Sequence, residues 1–108
     1  MTVKSRDKLY EGCETVMKQL ILDESNTNNK IYADEYDLGL ATLSSCLIEC
    51  IDNDVMYFNK DTAKGILYCL TAQFACIKTP SEVNYDAISG EIVELFNIGK
   101  NGYKNLIF

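Results

Sequence analysis

A chain of 108 residues, 47% of them apolar and only one a proline, is long enough to bury about two-thirds of its surface in one domain, so folding requires neither a disulfide nor a metal. The same composition argues against disorder. A formal net charge of −6 and the absence of histidine argue against direct binding of nucleic-acid phosphates or an anionic membrane surface, and remove the commonest general base.

The opening residues MTVKSRDKLYEGCETV carry charges throughout and hold no unbroken apolar run, which predicts neither a signal peptide nor a membrane span and a cytoplasmic address. Five cysteines in that compartment are expected as reduced thiols. The charge is unevenly spread. Residues 1–30 and 62–108 are each balanced, whereas residues 31–61 carry seven acids (Asp34, Glu35, Asp37, Glu49, Asp52, Asp54, Asp61) against Lys60 alone. The whole net charge sits in the middle of the chain.

Leu9, Cys13, Val16, Met17, Leu20 and Ile21 recur at helical spacing and predict a first helix over roughly residues 4–22. The following DESNTNNK, 23–30, has no apolar residue and is rich in turn formers, which predicts a surface loop. A second helix is expected from Asp34, a good N-cap, to about Asp52, with Leu38, Leu40, Leu43, Leu47, Ile48 and Ile51 as its apolar face. The connection NDVMYFNK leads to a third helix, from about Asp61 to Lys78, with Ala63, Ile66, Leu67, Leu70, Phe74 and Ile77 inward. Connections this short make neighbouring helices antiparallel. In TPSE, Thr79 as cap, Pro80 at the first helical position and Glu82 as its capping-box partner open a fourth helix. That helix runs through Ala87, Ile88, Ile92, Leu95 and Phe96 and is expected to stop near Gly99. The tail KNGYKNLIF contains an Asn-Gly turn and an apolar end.

Gly12, Gly39, Gly65 and Gly90 fall inside these helices at a cost of about 1 kcal/mol each against Ala. They call for close backbone approaches or for helix ends displaced by a turn. The expected architecture is a single all-α domain over residues 1–108, a small antiparallel bundle of about four helices with an irregular apolar C-terminal tail.

Cys46 and Cys50 lie one helical turn apart, and Cys69 and Cys76 lie on the next predicted helix, so four thiolates facing one interior could hold zinc. Only the first pair has the spacing of a structural zinc site, and the apolar neighbours Leu47, Ile48, Leu70 and Phe74 make inert core thiols the stronger reading. Cys13 reads the same way. No metal and no cofactor are expected. Without histidine there is no Ser-His or Cys-His nucleophile, and no phosphate loop occurs, so no catalytic residue is assigned and an enzyme is not expected.

Acids at the start of the second helix are favoured by its dipole, but Glu49, Asp52 and Asp54 sit at its end, where each costs about 0.3–1 kcal/mol. Val55, Met56, Tyr57 and Phe58 follow directly. Two readings fit this run: Met56 and Phe58 plug the end of the bundle beside solvated acids, or aromatics anchor a partner that the acids steer and pair with. The second assigns Glu49, Asp52, Asp54, Tyr57, Phe58 and Asp61 to a partner-binding surface. It suits a small acidic cytoplasmic protein that neutralises a basic protein, a toxin nuclease or a host enzyme. In size, acidity, helical make-up and an acidic-aromatic loop the chain is similar in character to the immunity proteins of nuclease bacteriocins, with none of that family's sequence motifs. The alternative is a homo-oligomeric structural or regulatory module, a dimer formed through Tyr103 and the tail Leu106-Ile107-Phe108.

Overall fold

Stripes of apolar side chains at helical spacing leave each helix one face to bury, and the pairing of those faces fixes the bundle. The computed structural model describes the backbone of residues 3–21, 29–53 and 55–107 and the side chains of residues 6–21, 34–53 and 55–101. It consists of α1 (Val3–Leu20), α2 (Asn29–Asp52), α3 (Lys60–Gln73) and α4 (Tyr85–Ile107). Among the described residues there is no strand, only an isolated antiparallel bridge between Ile21 and Ile77.

Successive helices are antiparallel, as expected. Met17 of α1 lies against Gly39 of α2, and Gly12 of α1 against Leu95 of α4. The Gln19 side-chain amide donates to Glu91 at 2.9 Å, nearer the start of α4. At one end of the α3–α4 pair Phe58 stacks on Phe96; further along, Lys60 and Lys64 pair with Asp86 at 3.2 and 3.1 Å. The shared core holds Leu9, Cys13, Val16, Met17 and Leu20 from α1 and Leu40, Leu43, Leu47 and Ile51 from α2. Ala63, Leu67 and Leu70 of α3 and Tyr85, Ile88, Ile92 and Phe96 of α4 join it, with Phe58, Cys76 and Ile77 from the connections. Buried hydroxyls do not interrupt this core. Ser44 and Ser89 donate to the carbonyls of Leu40 and Tyr85 one turn back, and among the described residues no buried side-chain nitrogen or oxygen lacks a partner.

Four helix ends depart from expectation. The second helix begins at Asn29, not Asp34. A cap preference is worth only about 1 kcal/mol, and Glu35, inside the helix, makes a long-range contact in which its carboxylate accepts the Cys76 backbone N–H at 2.9 Å, between α3 and α4. Asp34, Glu35 and Asp37 therefore lie past the first turn, away from the helix-dipole position expected for them. The third helix ends at Gln73, with Phe74 already extended (φ −125°, ψ 122°). The segment after Phe74 serves α1 instead of continuing the helix: Ile77 bridges Ile21, and the Lys78 N–H donates to the Leu20 carbonyl at 2.6 Å.

Thr79 and Glu82 do bond as in a capping box, with the Thr79 N–H and hydroxyl reaching Glu82 Oε1 at 3.2 and 2.9 Å. They close an isolated turn. Asn84 caps α4 instead, its side-chain oxygen accepting from the N–H groups of Asp86 and Ala87 at 3.1 and 3.2 Å. At its other end α4 passes through Gly99 and continues to Ile107, so the tail is helical where an irregular segment was expected. The loop expected at 23–30 lies outside the described residues except for 29 and 30, which belong to α2.

The glycines separate into two kinds. A Cβ at Gly12 would overlap Leu95 Cδ2, and one at Gly39 would stand 2.8 Å from Met17 Cε, so both mark close approaches between helices. Gly65 is exposed in α3 and an added Cβ there meets nothing within 4 Å. Gly65→Ala is therefore expected to stabilise the fold by about 1 kcal/mol, read as a rise in the urea midpoint without a change in slope.

Candidate functional site

The connection from α2 to α3 begins with two local bonds that end α2, Asn53 N–H to the Glu49 carbonyl at 3.0 Å and Val55 N–H to the Cys50 carbonyl at 3.1 Å. It finishes at Asn59, whose side-chain oxygen caps α3 by accepting from the Thr62 N–H at 3.1 Å. Between these fixed ends stand Met56, Tyr57 and Phe58. Phe58 is buried, its ring lying 8° from parallel to Phe96 with 4.4 Å between centroids. Met56 and Tyr57 are 77% and 82% exposed, the highest values among the large hydrophobic side chains described.

The expected partner-binding set is thus divided. Phe58 is removed from it, because its ring is a core contact and meets no solvent-side ligand. Tyr57 stays on the surface, and Met56, which the plug reading had placed in the bundle, joins it there. Glu49 and Asp52 are exposed on the last turn of α2, and Asp61 is exposed in the first turn of α3. Asp54 lies outside the described residues. The dipole of α3 accounts for Asp61, whereas Glu49 and Asp52 oppose the dipole of α2, whose last turn has no basic residue.

These acids are also unneutralised locally. Lys60, the one cation of the middle segment, is turned to Asp86 of α4 together with Lys64, and the two lysines hold that carboxyl below its usual range, Lys64 first. Among the described residues Glu49, Asp52 and Asp61 form no ion pair. Lys100 of α4 supports the connection from the other side, donating to the Val55 carbonyl at 3.4 Å while its ammonium lies 5.7 Å from the centre of the Phe96 ring. Phe96 and Lys100 were not assigned to the site from sequence; a turn-spaced aromatic and lysine carry no local sign of the loop they hold.

Beside this corner a cleft of about 320 Å³ opens between α2 and α3. Cys46, Glu49 and Cys50 of α2, Asn53 and Val55 of the connection, and Thr62 and Ile66 of α3 line it. The cysteines expected to share one interior do not. Cys13 and Cys76 are buried, Cys46 and Cys50 half-buried in the cleft, and Cys69 exposed. Burial pushes the Cys13 thiol up to about 12, and burial with a bond to Glu35 pushes Cys76 up to about 11. Cys46 and Cys50 are raised first by burial, with Glu49 contributing to both. Among the described residues no three cysteine or carboxylate side chains converge to hold a metal ion.

No protein-family model, curated protein or solved structure matches the chain. No helix among the described residues is long and apolar enough to cross a membrane.

The thiols supply a direct check on this geometry. With Ellman's reagent at pH 8, Cys69 is expected to react fast, Cys46 and Cys50 slowly, and Cys13 and Cys76 only after unfolding, since thiolate fraction and access both control the rate. Single Cys→Ser variants assign the phases. Phe58→Ala is expected to cost about 3–5 kcal/mol, the usual loss for a buried phenylalanine, measured by urea unfolding.

Proposed function

We propose that the chain is a binding protein that docks on and neutralises a basic protein partner, in the manner of an inhibitor or an immunity protein directed at a cationic enzyme such as a nuclease. One observation carries this reading: the two most exposed large hydrophobic side chains described, Met56 and Tyr57, stand on a fastened connection flanked by Glu49, Asp52 and Asp61, which form no ion pair among the described residues. Solvation alone explains acids on a surface. It does not explain a tyrosine and a methionine held out at the tip while the phenylalanine beside them is buried.

The physics of such a corner suits a protein ligand. Tyrosine is an effective anchor because it brings a large area with few rotatable bonds, and methionine adapts to irregular surfaces. Uncompensated carboxylates raise the rate of encounter with a basic surface and repel acidic competitors. A connection already held by the Phe58–Phe96 stack and by Lys100 loses little freedom on binding, which preserves affinity. On a nuclease, the acids would occupy the surface that takes phosphate. A cytoplasmic location belongs to the same proposal.

The test is capture of a stoichiometric basic protein from the native host on the immobilised chain, with release by salt. Against that partner, Tyr57→Ala is expected to weaken binding by about 30-fold, the scale of a hot-spot tyrosine. Glu49→Lys with Asp52→Lys should weaken it by tenfold or more at low ionic strength and by less at 0.5 M salt, on the order of the loss expected when steering charges are screened. Far-ultraviolet circular dichroism should be unchanged in both variants. Unchanged affinity in both folded variants would refute the surface, and capture of nothing but further copies of the chain would favour the homo-oligomeric module.

A further inference from the structure

The cleft between α2 and α3 adds something the exposed corner does not have, a concave apolar wall with a single carboxylate on it. We propose, resting on the reading above, that this cleft is the specificity pocket of the docking surface and receives one arginine side chain of the basic partner.

Its size and lining select the occupant. At about 320 Å³ the cleft is at the lower end of the roughly 300–1,000 Å³ range of small-ligand sites, enough for one long side chain and too small for a helix or strand. Cys46, Cys50, Val55 and Ile66 give it soft apolar walls, which suit the methylene stem of a long basic residue. Glu49 supplies the counter-charge. It lines the cleft on the same wall as Cys46 and Cys50. The C-terminal end of α2 adds negative potential at the same place.

Other occupants fit less well. A phosphate or an acidic side chain would meet Glu49 and the end of the α2 dipole with the wrong sign. A purely apolar side chain would leave the Glu49 charge without a counter-charge and gain nothing from it. Lysine has the right charge, but its ammonium is a compact and strongly hydrated point. A guanidinium is weakly hydrated and pairs with a carboxylate through two parallel bonds.

The experiment uses the full chain with two probes. The first is a hexa-arginine peptide, with hexa-lysine and hexa-glutamate as controls, followed by ¹⁵N amide shifts and by alkylation with N-ethylmaleimide. At a peptide concentration about ten times its Kd, hexa-arginine is expected to slow alkylation of Cys46 and Cys50 about tenfold by mass action. Cys69, outside the cleft, should be unaffected. Glu49→Gln, which keeps shape and removes charge, should weaken hexa-arginine by about tenfold or more. Equal protection by hexa-lysine, or amide shifts without thiol protection, would mean surface charge alone and would overturn the pocket.

The second probe is the captured partner. Glu49→Gln and Cys46→Phe, which fills the cleft from its wall, should each lower affinity about tenfold or more. If Cys46→Phe fails to fold, Glu49→Gln still decides. Full affinity in these variants, with binding lost in Tyr57→Ala, overturns the pocket and leaves the docking surface standing. Full affinity in Tyr57→Ala and in the charge reversal as well removes the docking surface itself.

Discussion

Phe58, on the connection from α2 to α3, lies flat on Phe96 of α4, and that contact fixes the course of the connection leaving α2. With Phe58 inward and Asn59 capping α3, Tyr57 and Met56 are left on the outside. Three large hydrophobic residues in a row would otherwise collapse together on the end of the bundle, as the hydrophobic effect favours. Burying one of them through a specific aromatic pair, and holding the backbone at Val55 through Lys100, makes the outward placement of the other two a property of the fold.

The electrostatics follow from the same arrangement. Lys60 and Lys64, in the first two turns of α3, both reach Asp86 in the first turn of α4, so the one cation among residues 31–61 is engaged there and not by Glu49, Asp52 or Asp61. Glu49 and Asp52 stay uncompensated at a helix end where they reduce stability. That small cost, at an exposed corner beside an exposed tyrosine, is what the proposed docking function would explain. The cleft beside it has mainly apolar walls and one charged lining residue, Glu49.

Legibility varied with the range of the interactions concerned. The stripe of α1, the central position of α2 and the antiparallel order were readable because each depends on residues three or four apart or on the length of a connection. The helix ends were less so. Asp34 had the character of a cap and Thr79–Glu82 that of a capping box, yet α2 starts before Asp34 and α4 starts after Glu82. Local capping, worth about 1 kcal/mol, yielded to contacts from distant parts of the chain: Glu35 bound to Cys76 and Leu20 bound to Lys78. Gly99 has the residue type of a helix stop but lies within α4.

The sequence by itself determined a single all-α antiparallel bundle, an excess of acid confined to residues 31–61, and the suspicion that the turn after Asp52 is more than a turn. These are sums over neighbours, and neighbours are what a sequence lists. Only the tertiary structure decided that Phe58 is core while Tyr57 is surface, that Cys46 and Cys50 line a cleft while Cys69 faces solvent, and that Lys60 is engaged by Asp86. Each depends on which side chain of another helix stands opposite, a matter of register between elements separated by tens of residues. Periodicity says which face of a helix is buried, but the partner that covers it is chosen by packing.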